Sequence, residues 1–143
     1  MKYFLKLNTI SILYALMVFI PVQLMVNVYR ISRLTSWEIG TINIITGVIF
    51  LIEVVVGTIM LYFLTKKWLN GRKANFWTII LWLPYFVLFI YIFASLFPIT
   101  NGGDDPNPAS GLLIIGGLIV YPFYILILNF FSMTSDEKTI KTS

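Results

Sequence analysis

The chain contains neither cysteine nor histidine. The first absence excludes disulfides, thiolate metal sites and cysteine nucleophiles. The second excludes imidazole acid–base chemistry. Charge is scarce too: 11% of the 143 residues are Asp, Glu, Lys or Arg, against roughly 25% in an ordinary soluble domain. There is no phosphate-binding glycine loop, serine elbow or pair of catalytic carboxylates. Hydrolysis inside a membrane needs a Ser–His pair or two aspartates within the spans, and neither is present. The sequence therefore reads as a non-enzyme with no cofactor and no metal site.

Apolar residues fill the space that charge leaves. They make up 59% of the chain, and mean hydropathy is +0.90. Too little polar surface remains to cover a water-soluble globule, whereas lipid requires none. Four apolar runs, 9–29, 41–65, 75–97 and 111–131, each reach the roughly 20 helical residues that cross a core of about 30 Å. None shows the alternation of a membrane strand. The expected fold is all-α: one domain of four transmembrane helices arranged as two antiparallel hairpins, followed by a polar, disordered tail over 132–143. The first run is too long for a cleaved signal peptide and lacks a small-residue cleavage site after it, so it reads as a retained span.

Local signals mark the helix ends. Thr35-Ser36-Trp37-Glu38 fits a capping box opening the second helix. Asn70-Gly71 offers a stop. Asn107-Pro108 reads as an N-cap and first-turn proline for the fourth. If the N-terminus is inside, the inner segments hold Lys2, Lys6, Lys66, Lys67, Arg72, Lys73, Lys138 and Lys141, and the outer ones only Arg30 and Arg33. That asymmetry places both termini in the cytoplasm. The composition, rich in Ile, Phe, Asn and Lys, fits an AT-rich bacterial genome and so a multi-pass protein of a bacterial inner or plasma membrane.

Glu53 is the one charge inside the four runs. A central carboxylate costs insertion roughly 2.5–3.5 kcal/mol, and each Leu, Ile, Val or Phe returns about 0.3–0.6. The second run has fifteen such residues. Their sum of about 4.5–9 kcal/mol wins, and the helix inserts. The carboxyl still needs a partner or water. Helical spacing lines up Asn43, Thr46, Phe50, Glu53 and Gly57 on one stripe. Gln23 and Asn27 share a face of the first helix. If the two stripes meet, they form a wet route to Glu53. Pro21, Pro84 and Pro122 lie near the midplane of the other helices with Tyr85 and Tyr121. Each proline frees a carbonyl four residues earlier. Glu53 thus reads as a structural or assembly contact, as a proton- or ion-handling group, or as a neutral carboxyl facing lipid.

Two loops carry lesser signals. Segment 101–108 reads as a solvated turn, with hard-cation binding by Asp104 and Asp105 as the alternative. Lys66, Lys67, Arg72 and Lys73 read as contacts to anionic lipid headgroups, with a docking patch for a cytoplasmic partner second. Nucleic-acid binding is not expected from so small a basic patch held against a membrane. In outline, four helices with one embedded glutamate resemble the small multidrug resistance transporters. Those carry the glutamate in their first span and this chain carries it in the second, so no residue role is transferred.

The expected function is that of an accessory, immunity or regulatory membrane protein acting through helix packing, in contact with the lipid bilayer and with a membrane-protein partner or further copies of itself. The alternative is a small proton- or ion-coupled transporter or channel using Glu53.

Overall fold

A computed structural model gives the architecture. It describes residues 1–69 and 71–142, with side chains described as far as Thr134. Among the described residues, five α-helices and two 3₁₀ turns follow in order: α1 (Lys2–Val26), α2 (Val28–Thr35), α3 (Ile39–Leu69), a turn at Lys73–Trp77, α4 (Thr78–Leu96), a turn at Gly102–Asp104, and α5 (Pro108–Thr142). Among the described residues there is no strand. Four segments, Lys2–Val26, Ile39–Leu69, Lys73–Leu96 and Pro108–Thr134, are long and apolar enough to cross a membrane. In lipid the backbone must satisfy itself, which only helices of this kind or closed barrels can do.

The ends differ from the expected ones for local reasons. α1 stops at Val26 because Asn27 turns its amide back on the preceding turn. Its Nδ2 donates to the Gln23 carbonyl at 2.9 Å and to Gln23 Oε1 at 3.0 Å. Such side-chain bonds compete with helix continuation. α2 restarts at once, with the Ile31 N–H donating to the Asn27 carbonyl at 2.8 Å. The capping box at Thr35 does not form. Thr35 is the last residue of α2, and Ser36 closes that helix in the left-handed conformation with φ 59°. The motif is present, but the tetrapeptide sits where one helix ends rather than where the next begins.

The third span opens with a 3₁₀ turn rather than at a regular helix start. Gly71 adopts a positive φ of 64° before it; Asn70 lies outside the described residues. α5 starts as expected, with Asn107 Oδ1 accepting from the Ala109 N–H at 2.9 Å. The tail expected to be disordered is helical instead: α5 continues without a break to Thr142; the side chains beyond Thr134 lie outside the described residues.

α1 is the centre of the bundle. About 39% of its spanning window is buried, against 11% in each of the other three. It packs most extensively on α4 and α3 and also reaches α5. Its Leu7, Ile10, Tyr14, Ala15 and Val22 meet Leu61 and Leu69 of α3, Trp82 and Phe86 of α4, and Ile125 and Leu128 of α5. The outward faces of α3, α4 and α5 are covered in exposed Leu, Ile, Val and Phe. So much contiguous apolar surface suits lipid and would drive association in water.

Candidate functional site

α3 meets α1 at one close approach. A Cβ on Gly57 would stand 3.0 Å from Met17 Sδ. The stripe predicted on α3 divides at this seam. Glu53 and Gly57 line a groove of about 430 Å³ on one side, with Leu13, Leu16 and Ile20 of α1 opposite. Asn43, Thr46 and Phe50 line a separate cavity of about 570 Å³, walled by Val18, Pro21 and Val22 of α1 and by Leu113, Gly117 and Tyr121 of α5. Met17 is shared by both linings.

Glu53 is half-buried, and its Oε2 is buried without a hydrogen-bond partner. Every other residue lining its groove is apolar.

The companions expected at the same depth are engaged elsewhere. The Tyr121 hydroxyl donates to the Tyr14 carbonyl at 2.5 Å, not to the Met17 carbonyl that Pro21 frees. Its ring stands edge-on to Trp82, with centroids 4.9 Å apart. The Tyr85 hydroxyl donates to Asn8 Oδ1 at 2.6 Å, farther along α1 toward its N-terminus. Gln23 and Asn27 bond each other and line neither space. Within these two spaces the two polar stripes do not meet.

Two polar clusters go beyond the residues picked from sequence. The first ties α2 to the α4–α5 connection. Arg33 holds Asp104 at two points, Nε to Oδ1 at 3.0 Å and Nη2 to Oδ2 at 2.7 Å. Arg30 Nε stands 3.7 Å from the same carboxylate, and Arg30 Nη1 donates to the Phe97 carbonyl at 2.9 Å. Asp104 is therefore not part of a solvated turn. Its side chain is 3% exposed. Asp105 is exposed, so the two carboxylates do not combine on a cation. Hydrogen bonds from Arg33 hold the Asp104 carboxyl below its ordinary value against the burial that would raise it, and the charges of Arg33 and Arg30 add to that. The signal available in sequence was opposite charge in two short connections assigned to the same side.

The second cluster lies at the other end. The Tyr3 hydroxyl donates to Asn75 Oδ1 at 2.6 Å. Thr78 Oγ1 donates to the Asn75 carbonyl at 2.7 Å and accepts from Asn129 Nδ2 at 2.9 Å. Asn75, Thr78 and Asn129 are fully buried. Asn129 is an amide inside an apolar run, the one cue the sequence offered. Among the basic residues, Arg72 stacks over the Tyr3 ring at 4.5 Å. Lys66 and Lys67 stand in the last turn of α3, and Lys73 is exposed. No cluster of three or more Asp or Glu side chains that could hold a metal ion occurs among the described residues.

No family model, curated protein or solved structure matches this chain. The functional reading rests on the geometry alone.

Proposed function

We propose that this chain is a non-enzymatic integral membrane protein that acts by packing against another transmembrane helix, in an accessory, immunity or regulatory role. It sits in a bacterial inner or plasma membrane as two antiparallel hairpins with both termini in the cytoplasm. Lys66, Lys67, Arg72 and Lys73 lie along the inner headgroups. The observation that carries the reading is Glu53 Oε2, buried and unbonded in an otherwise apolar groove between α1 and α3. A carboxyl at that depth is stabilised by a hydrogen-bond donor. The chain supplies none to this atom, and the half-buried carboxyl turns into the open groove to meet a donor on a helix outside the chain, in a partner protein or a further copy.

The test is the size of the assembly extracted in mild detergent. Glu53→Gln keeps a hydrogen-bonding amide of the same shape, and the assembly persists. Glu53→Leu removes the polar contact, and the assembly dissociates. An assembly unchanged by Glu53→Leu contradicts the reading. A second reading, proton- or ion-coupled transport, draws on the same unbonded carboxyl. It requires the opposite response to Glu53→Gln: flux in reconstituted vesicles is lost while the assembly stays intact.

A further inference from the structure

The larger cavity, on the far side of the α1–α3 seam from Glu53, has a distinct polarity. Its lining runs along α3 from Asn43 to Val54 and along α5 from Leu113 to Tyr124. Eleven helical residues rise about 16 Å, which is about half of a 30 Å hydrocarbon core and so the depth of one leaflet. At the deep end the polar groups are already satisfied. The Tyr121 hydroxyl is bonded to the Tyr14 carbonyl and the Tyr124 hydroxyl to Thr58 Oγ1. At the α2 end, Asn43 is exposed and Thr46 half-exposed. Between the ends the wall is aliphatic and aromatic, and Gly47 of α3 and Gly117 of α5 both line it with nothing within 4 Å of a Cβ on either.

We infer that this cavity holds one acyl chain of a membrane glycerolipid, entered sideways from the leaflet on the α2 side. A chain that fills this groove of about 570 Å³ gains dispersion contacts along its whole lining. The volume falls within the roughly 300–1,000 Å³ typical of small-molecule pockets. At this depth the molecule present to fill it is the lipid chain itself. The tail lies against Val18, Val22, Val54 and Leu118. The glycerol ester carbonyl comes level with Asn43 and Thr46, whose amide and hydroxyl donate to it. That pairing of an apolar slot with donors at one rim distinguishes the bound lipid from those that merely coat the outer faces.

The experiment uses the full chain reconstituted in vesicles of palmitoyl-oleoyl phosphatidylethanolamine and phosphatidylglycerol, then extracted in mild detergent and weighed by native mass spectrometry. The wild-type protein carries one glycerolipid. Gly47→Leu and Gly117→Leu each fill the slot from a different helix, so that one serves if the other fails to fold. Each lowers lipid retention roughly tenfold, a change worth about 1.4 kcal/mol. Gly116→Leu adds the same side chain to an exposed position outside the lining and leaves retention unchanged. Asn43→Leu weakens retention while leaving the slot open. Equal retention in the Gly47, Gly117 and Gly116 variants overturns the inference, as does a wild-type protein that emerges bare or with free fatty acid alone. None of these readouts depends on the partner proposed for Glu53.

Discussion

Arg33 and Asp104 form a two-point ion pair across 71 positions of sequence, and the aspartate end of it is buried. The planar guanidinium matches a carboxylate at two oxygens at once, which a lysine cannot do. The pair fastens α2, the short helix after α1, to the connection between α4 and α5. The first and last spans are thereby joined at one end of the bundle through charges that lie outside the spans.

That pair gives the protein an acid limit. Because Asp104 is held below its ordinary value of 3.8 in the folded state, its contribution is full above that value and is lost as pH falls through the lower folded one. The melting temperature in detergent, followed by circular dichroism, is expected to be insensitive to this group near neutrality and to drop on acidification below about pH 4. Asp104→Asn removes this contribution to the drop and lowers the neutral-pH melting temperature. Arg33→Lys lowers it too, by losing the second contact point.

The buried amide cluster at the opposite end is expected to matter for stability. Asn129→Ala removes the bond to Thr78 and leaves that hydroxyl without its donor. Hydrogen bonds between membrane helices average about 0.6 kcal/mol and reach about 1.7. A loss of about 1–2 kcal/mol in detergent-denaturant unfolding is therefore expected. Tyr3→Phe, which removes one bond to Asn75 nearer the surface, costs less.

The α1–α3 seam tolerates little growth at Gly57. Alanine there presses on the thioether end of Met17, a flexible group that can swing aside, so Gly57→Ala changes stability by less than about 1 kcal/mol. Gly57→Leu separates the helices and costs about 1–3 kcal/mol. Unfolding titrations of the two variants measure the difference directly.

Sequence made the four spans legible because apolar length is a direct physical requirement of the bilayer. Asn107 capping α5 was legible for a similarly local reason. What pairs with what was not. The Thr35 tetrapeptide matched a helix start, yet the helix begun after Asn27 ends on its first residue. Asp104 read as a loop residue because its arginines lie 71 and 74 positions away. The residues of the stripe through Asn43 and Glu53 all stand on α3, but against α1 they line two separate spaces. The central place of α1 had a trace in Ser11 and Ala15, small residues four apart on one face, both fully buried.

The most direct measurement of the role given to Glu53 is in-cell photo-crosslinking from Val56, which lines the same groove. A photoreactive residue placed there is expected to form one discrete adduct with a protein. That adduct should be retained with Glu53→Gln and lost with Glu53→Leu. Adducts with lipid alone, or a protein adduct indifferent to Glu53→Leu, contradict the proposal that Glu53 binds a helix outside this chain.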